Sequence, residues 1–347
     1  MTLATRSTVS ERPLLYRVKD EYTDSRYGCR PEDRDPETHI RYGVLNLDKP
    51  RGPTSHEVVA WIKRMLNIPK AGHAGTLDPK VSGVLPVALA EATKVLQALA
   101  GCDKEYICLM RLHSDVPESQ LLDVLKEFIG PIYQRPPLRS AVKRRIRIKH
   151  IYNIELLEKR GKDVLLRIHC ESGTYVRKLC HDIGEALGVG AHMRELRRIR
   201  VGPFHEDENL VTLNELRDAL ILWREFNIPD YIKKVILPVE YAVRHIPKVY
   251  VRDSAVDAIC HGASLAVPGI VKVEDGIKPG DLVAIMTLKN ELVALGRAQM
   301  TSKEMVTVEK GIAVRTTRVI MKPGTYPPMW KKKKEAKPEQ AGTETKE

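Results

Sequence analysis

The chain has 347 residues, 43% of them hydrophobic, which is enough for two or three domains with a packed core. Its formal net charge is +12 and its sequence pI is about 9.3, which favours an acidic partner, most commonly nucleic acid. No apolar run is long enough to span a bilayer, and the N-terminal residues lack the apolar region of a signal peptide. We therefore expect a soluble, cytoplasmic protein that does not act at a membrane.

The six cysteines are scattered along the chain, and none of them forms a C-x-x-C pair. The spacing of a zinc ribbon is therefore absent. Isolated cysteines in a chain of this size are typical of reduced thiols in a core. The pattern predicts neither a metal site nor a disulfide bond.

The N-terminal segment, residues 1–40, is polar, charged and rich in turn-forming residues, without a persistent helical or strand period. Such a segment is either disordered or lies as an arm on another part of the protein. After it, the alternation of Gly43–Pro50 predicts a strand that ends at the proline. Thr54 or Ser55 can cap the next helix, which we predict to end near Leu66.

The next stretch, Gly72–Pro79, reads Gly-His-Ala-Gly-Thr-Leu-Asp-Pro and precedes an apolar run that predicts a buried strand. It places two glycines, His73 and a single carboxylate, Asp78, in one short loop. Glycine lets a backbone approach a ligand closely, and a loop held against a buried strand is a usual place for a catalytic side chain. The same dipeptides also mark ordinary turns, so the pattern alone leaves both interpretations open.

A short helix over about 91–99 and a strand over 103–111 are predicted next. The strand carries Lys104-Glu105-Tyr106, and a helix over about 118–129 follows almost directly. An exposed aromatic face can stack on an unpaired base. A half-buried strand tyrosine is the alternative for Tyr106, and it is the commoner one.

Basic and apolar residues alternate after Val142. A strand here would carry Lys143, Arg145, Arg147 and Lys149 on one face. Such a row can contact several phosphates of a nucleic acid backbone. The alternative is an edge strand whose charges prevent aggregation, and the net charge makes us favour RNA.

The motif Gly173–Arg177 follows a predicted strand over 163–170 and precedes a predicted helix. Because a cation near a helix N-terminus opposes the helix dipole, Arg177 indicates a specific anionic partner. Further on, Thr212 can cap another helix. From residue 247, short runs broken by glycines predict a small β-barrel.

Four motifs, Asp48–Ser55, Gly72–Pro79, Lys104–Tyr106 and Gly173–Arg177, resemble the TruB family of pseudouridine synthases, and they occur in the family's order. The resemblance implies an α+β fold, in which the mixed central sheet of the pseudouridine synthase fold has flanking helices and a C-terminal PUA-type β-barrel follows. It also implies isomerisation of uridine to pseudouridine in RNA without a cofactor. The implied domains are an N-terminal extension packing on the PUA domain (1–40), a catalytic domain (41–246), the PUA domain (247–324) and a disordered basic tail (325–347).

The resemblance also assigns the site residues. Asp78 is the implied nucleophile, Arg177 pairs with it, and Tyr106 lies against the target base. The implied substrate-binding residues are Lys49, His73, Tyr175 and Leu196. In the barrel, the loop with Gly262, Ala263 and Gly269 corresponds to the part of PUA domains that usually contacts RNA. A guanidinium beside Asp78 would keep the carboxylate ionised and fix its rotamer.

Bacterial members of the family insert a long loop that grips transfer RNA after the strand carrying Tyr106, and this chain lacks it. The chain is therefore most similar to the archaeal, dyskerin-like branch, the catalytic subunits of box H/ACA ribonucleoproteins. That branch implies a guide RNA, a substrate rRNA or tRNA, and three small proteins: two that dock on the catalytic domain and one kink-turn binder.

Two other functions stay open: a transfer RNA pseudouridine synthase that works without a guide, and a non-catalytic RNA chaperone. The joint presence of the loop carboxylate and its predicted partners argues against the chaperone. Whether Asp78 attacks the ribose or the base also stays open.

Overall fold

The computed structural model describes residues 12–135 and 145–328. The described residues form two mixed sheets with helices packed against them. In chain order the strands are β1 (Leu14–Tyr16), β2 (Gly43–Lys49), β3 (Ala71–His73), β4 (Ser82–Leu89), β5 (Lys104–Leu112), β6 (Gly130–Gln134), β7 (Arg147–Arg160), β8 (Asp163–Cys170), β9 (Ala191–Val201), β10 (Phe204–His205), β11 (Leu210–Val211), β12 (Leu237–Pro238), β13 (Lys248–Val251), β14 (Leu265–Ala266), β15 (Ile270–Glu274), β16 (Leu282–Thr287), β17 (Leu292–Ala298) and β18 (Ile312–Val319).

The helices are mostly short and lie between these strands. They are α1 (Pro36–Arg41), α2 (Ser55–Leu66), α3 (Leu96–Leu99), α4 (Glu118–Glu127), α5 (Val176–Ala186), α6 (Leu213–Phe226), α7 (Asp230–Val235), α8 (Asp253–Cys260) and α9 (Ser302–Thr307). Among the described residues, no helix combines the length and the apolar character needed to cross a membrane.

Local capping sets the ends of several helices. Thr54 accepts a hydrogen bond from the backbone of Glu57, whose side chain bonds back to Thr54, so a capping box starts α2. Asn67 ends the same helix in the left-handed conformation, with φ of 54°. Thr212 starts α6 with a second capping box. Both predicted caps are thus confirmed, whereas the helix predicted over 91–99 divides into a 3-10 segment, Ala90–Val95, and α3.

The larger sheet, that of the catalytic domain, has the strand order β11-β2-β4-β9-β5-β8-β7-β6. Its central strands β4 and β9 run parallel, with Gly83 opposite Arg198. A Cβ on Gly83 would lie 2.1 Å from the Arg198 carbonyl oxygen, so only glycine allows β9 to approach β4 here. This pairing places Arg198 directly beside the loop that precedes β4.

The alternation along β5 determines which side chains face the catalytic core. Lys104, Tyr106, Cys108 and Met110 are buried, and the residues between them are more exposed. Strand β5 runs between β8 and β9 in the sheet. Only the five residues 113–117 separate β5 from α4, so no long insertion follows this strand.

The smaller sheet belongs to the C-terminal domain and has the order β1-β15-β13-β16-β17-β18-β14. Its edge strand β1 comes from the N-terminal segment and pairs antiparallel with β15. Side chains strengthen this contact, because the Asp253 carboxylate accepts hydrogen bonds from the Thr23 hydroxyl and the Asp24 amide. The N-terminal segment therefore lies as an arm on the C-terminal domain.

The two domains also share a hydrophobic core. Buried side chains of the catalytic sheet, such as Val84 and Phe204, belong to the same cluster as Met286, Leu295 and Ile320 of the C-terminal domain. Removing one domain would expose apolar surface on the other, which is costly in water.

The predicted solvent-facing basic row on β7 is wrong for two of its members. Arg147 and Lys149 are half-buried, and the exposed residues that alternate with them, Ile146 and Ile148, are apolar. The Lys149 ammonium turns inward to Glu171 at 2.7 Å, because that carboxylate lies on the turn after β8. Arg145, which precedes the strand, is exposed, and Lys143 lies outside the described residues.

A buried ion pair connects three parts of the chain. The Arg34 guanidinium donates to both carboxylate oxygens of Glu240, at 2.9 and 2.7 Å, and Glu240 also accepts from the Leu292 amide at 2.8 Å. Arg34 is only 6% exposed. This network joins the N-terminal arm, the catalytic domain and the C-terminal domain.

We predict that Arg34→Met lowers the free energy of unfolding by about 3 kcal/mol, because it leaves a buried carboxylate without its cation. Guanidinium denaturation measures the change. The exposed pair Arg26–Asp24 supplies the control, and Arg26→Met should leave stability essentially unchanged. Equal effects of the two variants would contradict the prediction.

Candidate active site

The loop between β3 and β4 carries Asp78, and the structure brings Arg177 to it. The Arg177 Nη2 atom donates to Asp78 Oδ2 at 2.6 Å, and both side chains are more than half exposed. Arg177 is the second residue of α5, so the start of this helix faces the loop. Because exposed ion pairs stabilise a fold little, the pair serves mainly to orient the carboxylate.

Hydrogen bonds from α2 hold the loop around Asp78. The Ser55 hydroxyl donates to the Leu77 carbonyl at 3.1 Å and accepts from the Leu77 amide at 2.9 Å. The Gly52 amide donates to the Pro79 carbonyl at 2.8 Å. Ser55 is fully buried, so the residue before Asp78 is held by a rigid helix start.

Lys49 lies beneath this loop and not in an open pocket, so its predicted contact with substrate is wrong. Its side chain is fully buried, and Nζ donates to the Pro50 and Val81 carbonyls, both at 2.9 Å. The Asp78 and Pro79 carbonyls lie 3.5 Å away. Burial lowers the pKa of Lys49, and the Asp78 carboxylate opposes that shift. Lys49 thus holds the C-terminal end of the loop to the end of β2 through backbone carbonyls.

Tyr106 and Leu196 occupy neighbouring strands on the same side of the sheet. Tyr106 is 7% exposed, and burial raises the pKa of its hydroxyl, which is therefore neutral near pH 7. Leu196 is half-buried and pairs with Cys108, two residues along β5 from Tyr106. These two side chains give an apolar wall with one aromatic ring.

Tyr175 is half-buried and occupies the N-cap position of α5, two residues before Arg177. The Gln134 side chain holds the Tyr175 backbone through two hydrogen bonds. The Gln134 side-chain oxygen accepts from the Tyr175 amide at 2.9 Å, and the Gln134 side-chain nitrogen donates to the Tyr175 carbonyl at 3.1 Å. Gln134 is 1% exposed. The end of β6 therefore determines where α5 begins.

His73 ends β3, before the loop reaches Asp78. Its ring packs edge-on against His56, with 5.1 Å between the ring centroids. Burial lowers the pKa of His73, and the nearby His56 acts in the same direction. A neutral imidazole at this position can pack against a base or donate one hydrogen bond.

The sequence analysis assigned no site role to four buried side chains around the loop, although two of them, Ser55 and Lys104, lie within the motifs. Ser55 and Gln134 anchor the loop and the helix, and Lys104 and Arg198 lie beneath Gly75. Arg198 Nη2 donates to the Gly75 carbonyl at 3.0 Å. Strand alternation could have placed Lys104 on the face of Tyr106. Nothing in the arginine-rich run of β9 distinguishes the buried guanidinium groups of Arg198 and Arg200 from their more exposed neighbours.

The predicted RNA-contacting loop of the barrel belongs to the other domain. Gly262 and Ala263 are exposed, and Gly269 is half-buried. A Cβ on Gly262 would meet nothing within 4 Å, whereas one on Gly269 would lie 3.0 Å from the Ala255 methyl. Packing alone therefore explains Gly269, and Gly262 and Ala263 form the accessible part of the loop. Within residues 12–135 and 145–328, no group of three or more His, Cys, Asp or Glu side chains could hold a metal ion.

Four family models match the chain in succession. They are the DKCLD (NUC011) domain at residues 11–59, the N-terminal domain of TruB family pseudouridylate synthases at 63–176, the C-terminal domain of tRNA pseudouridylate synthase B at 177–244, and the PUA domain at 247–320. A relative from Methanopyrus kandleri, named probable tRNA pseudouridine synthase B, is 60% identical over 92% of this chain and 94% of its own length. One from Pyrococcus furiosus with the same name is 60% identical over 93% and 95%.

The chain belongs to the TruB family of pseudouridine synthases. Two solved structures are also similar to this synthase. A chain in the crystal structure of a Cbf5-Nop10-Gar1 complex is 61% identical, with a TM-score of 0.86 over 91% of this chain and 96% of that one. A chain in an H/ACA RNP bound to a substrate RNA containing 2'-deoxyuridine is 57% identical, with a TM-score of 0.87 over 92% and 98%. The predicted fold and family are confirmed.

We predict that Ser55→Ala slows isomerisation by this synthase about tenfold, because the backbone before Asp78 loses both of its anchors. Single-turnover assays of tritium release from uracil-labelled RNA measure the rate. The neighbouring Thr54→Ala is the control, since it removes only the cap of α2 and should lower stability by about 1 kcal/mol without slowing the reaction. Equal slowing by both substitutions would show that the loop anchor has no specific role.

Proposed function

We propose that this synthase is the catalytic subunit of a box H/ACA ribonucleoprotein and isomerises uridines that a guide RNA selects, mainly in rRNA. The observation that carries the proposal is the structural likeness, a TM-score of 0.87 over 92% of the chain, to a synthase in an H/ACA RNP bound to substrate RNA. The five-residue connection after β5 supports it, since the loop with which bacterial members grip transfer RNA has no counterpart there. Pairing with a guide would supply the missing selectivity.

We propose that small H/ACA proteins complete the particle, as Nop10 and Gar1 accompany the similar chain in the solved complex. The accessible PUA loop would hold the guide. Gly262 and Ala263 offer an exposed backbone in a protein with a net charge of +12, which favours contact with phosphates.

In the proposed chemistry, Asp78 is the nucleophile. If its carboxylate attacks the ribose C1', a C–O bond forms, the bond to uracil N1 breaks, and the electron pair leaves with the base. The base then rotates, its C5 bonds to C1' and expels the carboxylate, the proton on C5 goes to solvent, and N1 takes up a proton. If Asp78 attacks C6 of the base instead, the C5–C6 π pair moves onto C5 and O4. The C1'–N1 bond then breaks, C5 bonds to C1', and loss of the C5 proton expels the carboxylate from C6 while N1 takes up a proton. Neither route needs a redox change.

The geometry suits such a nucleophile. Arg177 holds Oδ2, and among the described residues Oδ1 has no hydrogen-bond partner. The carboxylate is exposed, so an extruded uridine can reach it. Tyr106 and Leu196 supply apolar contact for the base, which offsets part of the cost of leaving its stack.

We predict that Asp78→Asn abolishes tritium release from uracil-labelled RNA while RNA affinity changes less than about threefold, because the amide keeps the size of the carboxylate but not its nucleophilicity. Asp123→Asn, on the exposed face of α4, is the matched control and should keep full activity. An active Asp78→Asn enzyme would exclude the proposed nucleophile.

Guide-independent modification of transfer RNA is the second candidate function, since the curated relatives carry that name. The wild-type enzyme distinguishes the two functions when rRNA and transfer RNA are each assayed with and without guide RNA. Dependence of the rRNA reaction on the guide supports the proposal. Equal activity on transfer RNA without a guide, and none on rRNA with it, would overturn it.

We predict that Ala263→Glu weakens binding of guide RNA about tenfold or more, because a carboxylate would then face the phosphates. Filter binding at fixed salt measures the affinity. Ala263→Gln, of similar size but neutral, should cost much less. A point substitution is needed because removing the whole domain would open the shared hydrophobic core. Equal affinities of the two variants would argue against a guide contact at this loop.

A further inference from the structure

Two buried cations lie beneath the catalytic loop. Arg198 is 1% exposed and Lys104 is 6% exposed. Arg198 donates from Nε to the Val84 carbonyl at 2.8 Å and from Nη2 to the Gly75 carbonyl at 3.0 Å. Lys104 Nζ donates to the Cys102 carbonyl at 2.8 Å and to the Ser172 hydroxyl at 2.9 Å.

All four of these acceptors are neutral. Within the described part of the chain, no carboxylate approaches either cation to within 4.0 Å. The adjacent Arg197 shows the usual arrangement, because it pairs with Asp48 at 3.0 Å and with Glu206 at 2.8 Å. Burying a charge without a counter-charge is costly, so two such groups side by side call for a functional explanation.

The backbone of Gly75 lies between these cations and the open side of the loop. Gly75 is exposed and has φ of +82°. A Cβ at this position would lie 3.3 Å from Lys104 Cε and 3.4 Å from Arg198 Nη1. The absence of a side chain at Gly75 therefore lets the loop backbone lie directly against the two cations.

The same two cations flank Tyr106. Arg198 is its direct cross-strand partner on β9, and Lys104 precedes it by two residues on the same face of β5. In the proposed complex the target uracil lies against Tyr106, so both charges would act on the base from behind the ring. At this depth water screens them poorly.

We propose that Lys104 and Arg198 stabilise the negative charge that develops on uracil when Asp78 attacks, acting through the electrostatic field without touching the RNA. The inference rests on the proposed reaction at Asp78 but holds for either route. When C1' is attacked, the breaking bond leaves its electron pair on uracil N1 and its conjugated oxygens. When C6 is attacked, the pair reaches C5 and O4. Fixed charges beside such an anion need no reorganisation, which is how enzymes use preorganised groups.

A purely structural role predicts a different result, and charge-matched substitutions separate the two. Lys104→Met removes the charge, whereas Lys104→Arg keeps it. We expect Lys104→Met to slow the single-turnover reaction by about tenfold or more, with RNA affinity unchanged and most of the rate restored in Lys104→Arg. A Lys104→Met enzyme that turns over normally, or one that loses RNA affinity instead of rate, would overturn the inference.

Arg198→Gln and Arg197→Gln form a second matched pair on adjacent residues. The first removes an uncompensated buried charge, and the second removes a charge that two carboxylates already neutralise. We expect only Arg198→Gln to slow the reaction, with thermal melting showing that both variants fold. Equal rates for these two variants would count against the field effect.

The pH profile of the unaltered enzyme tests the inference without any substitution. The pKa of Lys104 is lowered to about 8, first by burial and then by the charge of Arg198, while Cys102, Cys170 and Asp103 oppose the shift. A lysine with a lowered pKa loses its charge as the pH rises through that value, so the single-turnover rate should fall above pH 8. Lys104→Arg should move this fall to higher pH, and an unmoved profile would overturn the role of Lys104.

These outcomes are separable from those for the nucleophile. If Asp78→Asn is inactive but Lys104→Met and Arg198→Gln are fully active, the inference fails and the proposed function stands. If Asp78→Asn is active, the proposed nucleophile fails, whatever the two cations do.

Discussion

The ion pair between Asp78 and Arg177 is the contact on which the rest of the site depends. It joins side chains that are 99 residues apart, and both are exposed, so the pair itself adds little stability. Its geometry is set by buried neighbours. Ser55 and Lys49 hold the loop from one side, and Gln134 holds the start of α5 from the other. An exposed reactive group on a rigid buried support can meet a large RNA substrate without losing its orientation.

The charged residues around the loop are also divided between exposed and buried positions. The only loop carboxylate is exposed and paired with an exposed arginine, whereas the cations beneath it are buried and bind neutral acceptors. Buried Lys49 strengthens the loop by binding its carbonyls, which explains why a lysine predicted to bind substrate lies out of its reach. The desolvated cations Lys104 and Arg198 give a positive electrostatic potential beneath the position where the proposed uracil anion forms. Apolar residues beneath the loop would cost less free energy to bury, but they could not stabilise an anion.

The two domains differ in how they are attached and in what they offer to RNA. The catalytic domain and the barrel share a hydrophobic core, and the N-terminal arm adds β1 to the barrel sheet. The buried network at Arg34 and Glu240 then links all three parts. A rigid connection of this kind fixes the distance between the accessible loop at Ala263 and the carboxylate at Asp78. In the proposed particle, a guide RNA bound at one end would therefore present its target at the other.

The sequence by itself determined the local elements and predicted that Asp78 and Arg177 would pair. Thr54 and Thr212 begin helices because their caps are made within four residues, and Asp78 and Arg177 meet as the motif resemblance implied. Only the tertiary structure decided burial. The predicted alternation of side chains is present on β7, but the Lys149 ammonium faces inward to Glu171. Arg198 is buried because β4 approaches β9 closely at Gly83. These two strands are more than 100 residues apart in the chain, so no local sequence pattern encodes their contact.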